Sequence, residues 1–266
     1  MKLLVTGGLG FIGSNFILKL LERDENLQVI NIDAGLTGSH QGNLKNLQNN
    51  KNYSFVKGNI TNKRLMNQLI SDTDVVINFA AESFVDRSIS DAEPFLVSNI
   101  RGAYTILDLI TKQKKRMIHI STDEVFGSLD NIRATENMKF NPSNPYAATK
   151  ASAELLIQSY IKTHESDVII TRCTNNFGPR QFPEKLIPKI ILLATQGKKI
   201  PIYGDGKNIR DWLYVKDHID AIDLIFHKGK KGETYNVGGG NELSNIDLIN
   251  KLILIIDKIL GRSSGY

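Results

Sequence analysis

Tyrosine and lysine stand four residues apart in Tyr146-Ala147-Ala148-Thr149-Lys150, which puts both on one face of a helix. An ammonium beside a phenol, or beside a ribose that it also contacts, favours the phenolate, and a phenolate can act as general base on an alcohol. The same spacing equally describes a surface lysine and a core tyrosine, so its meaning depends on the rest of the chain. Ile120-Ser121-Thr122-Asp123-Glu124-Val125 sets two adjacent carboxylates behind two hydroxyls, more than the orientation of an alcohol needs. Carboxyl groups whose surroundings push their pKa values apart can supply one acid and one base; a helix cap would use the same residues.

Upstream, Thr6-Gly7-Gly8-Leu9-Gly10-Phe11-Ile12-Gly13 has glycines for a tight turn, for close backbone approach to a pyrophosphate and for helix packing. The free N–H groups of the helix that follows attract the anion. Asp33 lies twenty residues beyond Gly13, where a carboxylate accepts hydrogen bonds from an adenosine ribose. It would repel a 2′-phosphate, which favours NAD over NADP. A nicotinamide acceptor gives the Tyr146–Lys150 pair a hydride to exchange with.

These groups need a scaffold that brings them to one edge. Short Val/Ile/Leu-rich runs alternate with helical periods, the pattern of a doubly wound parallel α/β sheet of Rossmann type. Strands are predicted near Lys2–Thr6, Gln28–Ile32, Tyr53–Lys57, Val75–Phe79, Arg116–Ser121 and Val168–Cys173, with helices at Phe11–Arg23, Lys63–Ser71, Phe95–Lys112 and Tyr146–His164. The Ser121–Glu124 run then falls at a carboxyl strand end, facing the ligand crevice. After Cys173 the pattern changes. Short apolar pieces at Ile200–Tyr203, Asp211–Val215 and Glu233–Val237 alternate with helices near Pro183–Thr195, Lys216–His227 and Asn245–Leu260. This predicts a cofactor domain over 1–173 and a smaller α/β substrate lobe over 174–266.

Composition narrows the function further. The 33 basic and 28 acidic side chains leave +5 on 266 residues, with 41% hydrophobic and 23% charged, near globular averages. No stretch approaches the ~20 apolar residues of a membrane span. Basic groups such as Lys112–Arg116 and Lys228–Lys231 are short and scattered, unlike a nucleic-acid surface. One cysteine forms no internal disulfide, and no signal-peptide pattern precedes the glycines, so a cytoplasmic protein is expected. The five histidines have no metal-ligand spacing. Cys173 and His119 are expected as core residues, and Phe84 and Trp212 either stack on a base or pack the core.

The glycine turn, Ser121-Thr122-Asp123-Glu124-Val125-Phe126-Gly127, Tyr146-x-x-x-Lys150 and Asn175-Asn176-Phe177-Gly178-Pro179 together resemble the extended short-chain dehydrogenases/reductases that act on nucleotide sugars. Ala80-Ala81-Glu82-Ser83-Phe84-Val85-Asp86-Arg87-Ser88-Ile89, Phe182-Pro183-Glu184-Lys185-Leu186-Ile187-Pro188 and Ile209-Arg210-Asp211-Trp212-Leu213-Tyr214-Val215 are similar to the dTDP-glucose 4,6-dehydratase family within them. The resemblance spans Lys2 to about Leu260. It implies a redox-neutral lyase cycle on dTDP-glucose with NAD. Tyr146, helped by Lys150 and Thr122, takes the 4-hydroxyl proton as the C4 hydride leaves. Glu124 then removes the C5 proton, Asp123 protonates the departing 6-hydroxyl, and the hydride returns to C6. Simple C4 epimerases need no such Asp–Glu pair.

By the same resemblance, Gly7, Gly10, Phe11, Ile12, Gly13, Asp33, Phe79, Ala80, Ala81, Ser98, Ser121, Tyr146, Lys150 and Asn176 would line NAD. Ser83, Thr122, Asn175, Lys185, Leu186, Pro201, Tyr203, Arg210 and Asn245 would hold the nucleotide sugar, Arg210 as a guanidinium on the diphosphate. Helices Phe95–Lys112 and Tyr146–His164 would pair two copies as a homodimer. Two departures stand out. Asn59-Ile60 replaces the family's aspartate beside an apolar residue at the adenine, and asparagine can still accept that bond. The sequence also stops at Tyr266, before the family's Arg-Pro-Gly-His-Asp segment, which predicts either an omitted tail or a short form with an open substrate lobe. The alternatives are a UDP-glucose or GDP-mannose dehydratase, a C4 epimerase or decarboxylase, and an NAD-binding protein without turnover.

Overall fold

The computed structural model describes residues 1–129 and 132–262. Six apolar runs form strands β1 (Lys2–Thr6), β2 (Gln28–Asp33), β3 (Tyr53–Lys57), β4 (Val75–Asn78), β5 (Arg116–Thr122) and β6 (Val168–Cys173). Between them lie α1 (Phe11–Arg23), α2 (Lys63–Ser71), α3 (Val85–Ser90), α4 (Glu93–Phe95), α5 (Ala103–Lys112) and α6 (Pro145–His164). The rest of the chain forms β7 (Asn175–Phe177), α7 (Leu186–Thr195), β8 (Ile209–Tyr214), α8 (Val215–Lys228), β9 (Thr234–Val237), β10 (Glu242–Ser244) and α9 (Asn245–Leu260).

The large sheet runs β3-β2-β1-β4-β5-β6-β9 and is parallel throughout. Successive side chains point to opposite faces, and both faces are covered, so apolar residues occupy both sets of positions. Leu3, Val5, Ile77 and Ile118 pack with Phe16, Ile17, Ile219 and Ile222 on one side. Leu4, Ile32, Val76 and Met117 pack with Met66, Ile106, Ile110 and Ile157 on the other. The strand order reverses direction between β1 and β4, and in open α/β sheets ligands bind in the crevice beyond that switch point. The glycine turn, the loop after β4 and the turn after β5 all leave the carboxyl edge beside it.

The small lobe carries a three-stranded sheet, β10-β8-β7, with β10 antiparallel to β8. Its core is Ile187, Trp212 and Leu248 with Phe177, Leu186, Leu243 and Leu252. Trp212 and Phe84 are therefore largely packed, at 6% and 8% exposure.

Three sequence expectations need correction. Residues 215–237 return to the large domain, where α8 packs on α1 and β9 becomes the seventh strand beside β6. The expected break at Cys173 is thus the chain's first exit from the sheet, not a clean boundary. Ile200–Tyr203 is irregular; Pro201 has no N–H for a ladder, and Ile202 and Tyr203 are exposed. The expected helix Phe95–Lys112 contains a π-helical turn at Leu96–Gly102, a distortion that often marks a functional position.

Candidate active site

Gly7 has φ +69°, and a Cβ there would lie 2.7 Å from the Ala80 nitrogen. A Cβ on Gly13 would lie 2.6 Å from the Gly7 carbonyl, so both positions accept only glycine. Gly10 caps α1 without a side chain, and the first helical bond runs from Ser14 N to Gly10 O at 3.0 Å. The N–H groups of Phe11, Ile12 and Gly13 are left without helical acceptors, a seat for an anion. Asp33 is buried at the end of β2 and accepts from Leu9 N (3.0 Å), Gly35 N (2.8 Å) and Ser39 Oγ (2.8 Å). A carboxylate offers about four acceptor sites, which leaves one for a ribose hydroxyl.

After β4, Phe79 N donates to Thr6 O and Ala80 N to Thr6 Oγ1. Phe79 turns its ring onto Phe16, with centroids 5.2 Å apart, so it offers a ligand its backbone more than its ring. Ala81 and Ser98 are half-buried nearby in sequence and element. Asn59 Oδ1 already accepts from Thr61 N and Oγ1, both at 2.9 Å, while Ile60 is buried at 5% exposure. The crowded glycines, the free N–H groups, the residual Asp33 lone pair and the buried, unpartnered Ser121 Oγ fit a dinucleotide.

The reactive groups cluster beside that cradle. Thr122 caps a 3-10 turn at Asp123–Phe126, accepting from Glu124 N at 3.3 Å and donating to Asp123 Oδ1 at 3.2 Å. Asn144 holds Glu124, donating Nδ2 to Oε2 at 3.1 Å, and with its own Oδ1 caps α6 through Ala147 N. Burial, and then the Glu124 carboxylate, push Asp123 up to about 6, against a Thr122 hydrogen bond and the Arg210 charge that lower it. Asp123 is thus moved toward neutrality, where a general acid works.

Lys150 Nζ donates to the Ile120 carbonyl at 2.7 Å, the strong acceptor that a buried ammonium takes at the end of β5. Burial lowers Lys150 to about 8, opposed by Glu154. The Tyr146 phenol is pushed up, first by burial and then by Glu124, with only a Thr122 hydrogen bond clearly opposing. The protein's own groups therefore do not depress the phenol.

On the substrate side, Lys185 Nζ donates to the Ser83 carbonyl at 2.9 Å and lies 4.3 Å from the Phe84 ring centroid. Burial lowers Lys185, while Glu124, Asp86 and Glu184 oppose that. Arg210, exposed on β8, reaches the same pair electrostatically through Asp123. Asn175 is half-buried in β7 opposite Trp212. Asn176 spends both polar atoms internally, accepting from His218 Nδ1 (2.8 Å) and donating to Thr174 O (2.9 Å). Leu186 packs in the small-lobe core. Pro201 and Tyr203 are exposed, and Asn245 opens α9 with its N–H on Asn208 O.

Sequence reasoning missed Asn144, Asn99 and His218. Asn99, buried in the π-helical turn, accepts from Glu82 N and donates to Glu82 O and Thr149 Oγ1. The available signal was a polar residue on the apolar side of a helix. Cys173 is buried and its thiol is pushed up to about 12 by burial, consistent with packing. His119 is buried and held neutral, with Nδ1 on Asn78. Among the described residues, no helix is long and apolar enough to cross a membrane.

Comparison with known proteins follows the same lines. The GDP-mannose 4,6 dehydratase family model matches residues 4–262. The low-salt glycan biosynthesis protein Agl12 of Haloferax volcanii is 47% identical over 254 residues, 95% of this chain and 82% of that protein. The structure of dTDP-glucose 4,6-dehydratase from Bacillus anthracis with NAD superimposes with TM-score 0.91 at 44% identity, covering 99% of this chain and 82% of that one. DesIV, the dTDP-glucose 4,6-dehydratase of Streptomyces venezuelae solved with NAD, gives 0.93 at 40% identity with the same coverage. The match takes in both lobes and the crevice between them, and this chain belongs to the GDP-mannose 4,6 dehydratase family.

Proposed function

We propose that this protein dehydrates dTDP-glucose to dTDP-4-keto-6-deoxyglucose with NAD. The carrying observation is the Asp123–Glu124 pair, with Asp123 raised to about 6, on the same crevice edge as Tyr146 and Lys150. Bound NAD supplies the hydride acceptor for C4 and the donor for C6. Tyr146 Oη, beside Thr122, takes the 4-hydroxyl proton; its raised pKa makes this uphill until positive charge is near, and Lys150 is the buried cation four residues away. Glu124, held by Asn144, removes the C5 proton. Asp123 protonates the 6-hydroxyl as it leaves as water, and C5 regains a proton as the hydride returns to C6. A diphosphate that engages Arg210 draws off the cation that lowers Asp123, which favours its acid form.

The large domain, residues 1–173 with 215–237, supplies the NAD seat, and the small lobe the nucleotide-sugar seat. Exposed Leu96 in the π-helical turn, Tyr104 on α5 and Leu155 on α6 support a homodimer, and the lone cysteine supports a cytoplasmic site. Incubation with dTDP-glucose, UDP-glucose and GDP-mannose, read by mass spectrometry, tests the reading. Loss of water from dTDP-glucose foremost, without net reduced cofactor, is expected. Epimerisation without water loss contradicts it, preference for another sugar reassigns the base, and NAD binding without any product points to a non-catalytic protein.

A further inference from the structure

Arg172 on β6 is 2% exposed and Glu154 on α6 is fully buried. The guanidinium donates Nε and Nη2 to Glu154 Oε2 at 2.9 and 2.7 Å, and Nη1 to the Glu136 carbonyl at 2.9 Å. Its carbon lies 5.0 Å from the ring centroids of both Phe126 and Phe140. One side chain on β6 thus touches three other segments: α6, the Asp123–Phe126 turn and the segment leading to α6.

Each contact leads to the reacting groups. Glu154 is one helical turn beyond Lys150 and two beyond Tyr146 on α6. Phe126 closes the turn that carries Asp123 and Glu124. The segment before α6 is tied to that turn by Asn141 N on Val125 O at 2.9 Å, and it ends in Asn144, which holds Glu124.

A buried ion pair is a poor source of stability, since apolar residues of similar volume often replace it at no loss. What such residues cannot supply is the directional fork and the cation's contacts with two aromatic rings. We propose that Arg172 is a positioning residue for water elimination, setting the Asp123–Glu124 turn against the helix that carries Tyr146 and Lys150. This rests on the dehydratase reading above. The other ties on the turn, Asn141 N on Val125 O and Asn144 on Glu124, come from the segment that Arg172 itself holds through the Glu136 carbonyl and the Phe140 ring, whereas α6 is also held by Ser88 Oγ on Tyr146 N and by Lys150 on Ile120 O. Loss of Arg172 therefore displaces the acid–base pair more than the phenol.

The test compares the wild type with the double variant Arg172→Met/Glu154→Leu, which removes both charges together, and with Arg172→Lys, which keeps charge without the fork. A displacement of about 1 Å can cost ~10²-fold in rate. The double variant is expected to fold, to lose about that much kcat at little changed KM, and to accumulate reduced nicotinamide at 340 nm, because C4 oxidation outruns elimination. Arg172→Lys is expected to fall between. An independent readout needs no turnover: carboxyl NMR titration of Asp123 should show its pKa falling from about 6 toward the ordinary carboxylate range as water reaches the turn. Wild-type partition and Asp123 titration in the double variant would overturn the proposal, as would equal loss of oxidation and elimination. If the wild type itself does not dehydrate dTDP-glucose, the functional reading falls, and the Asp123 titration still decides the role of Arg172.

Discussion

At the scale of single residues, Asp123 and Lys150 are held away from their ordinary ionisation by burial, and the signs are opposite. Asp123 has a folded pKa of about 6 against an ordinary 3.8, so the folded chain is penalised for its charge above about pH 6. That penalty disappears as pH falls through 6 toward 4. Asp123→Asn should therefore stabilise the fold by about 1–3 kcal/mol at pH 8, and the gain should shrink toward zero near pH 4; denaturant titrations at the two pH values check it. The same variant should slow elimination more than C4 oxidation, and equal slowing of both would undo the role given to Asp123. Tyr146→Phe should lower kcat by about 10²–10⁴-fold while leaving stability nearly unchanged, since the raised phenol is neutral in both states. These groups were legible in the sequence because their spacing is local. Asn144 was not, because its bond to Glu124 spans a segment whose path no local pattern records.

At the scale of elements, five of the six leading strands were legible because a strand buried on both faces must be a near-continuous apolar run; β3, exposed at the sheet edge, was legible from its aromatic and β-branched residues. Ile200–Tyr203 had that composition, and Pro201 without an N–H kept it out of a sheet. The return of β9 to the large sheet was hidden, since Thr234–Val237 is too short to declare its partner. Helical periodicity also concealed the π-helical turn at Leu96–Gly102, whose Asn99 satisfies both backbone groups of Glu82. Asn99→Ala leaves those groups unpaired at a cost of about 1–3 kcal/mol. It should loosen the loop after β4 and raise the NAD dissociation constant severalfold; calorimetric titration measures this, and unchanged affinity would show that the loop keeps its shape without Asn99.

At the scale of the whole molecule, two lobes meet over a crevice bridged by polar contacts. Arg87 donates to Thr37 beside the Asp33 loop and to Glu184 of the small lobe, and Lys185 crosses to Ser83. The Arg87–Glu184 pair is exposed, and exposed pairs contribute about 0–1 kcal/mol. Arg87→Met should barely change the unfolding free energy, yet raise the KM for the nucleotide sugar a few-fold at low salt, with the difference narrowing as salt screens the pair in the wild type. The proposed dehydration requires a hydride to leave C4 and return to C6 of one sugar while a solvent proton enters at C5. The most direct measurement is a turnover of dTDP-glucose deuterated at C4, in ordinary and in deuterated water, with the product analysed by NMR. The expected product carries the C4 label at C6 in both solvents and gains deuterium at C5 only in deuterated water. A product that keeps its 6-hydroxyl and its label at C4 would contradict the account.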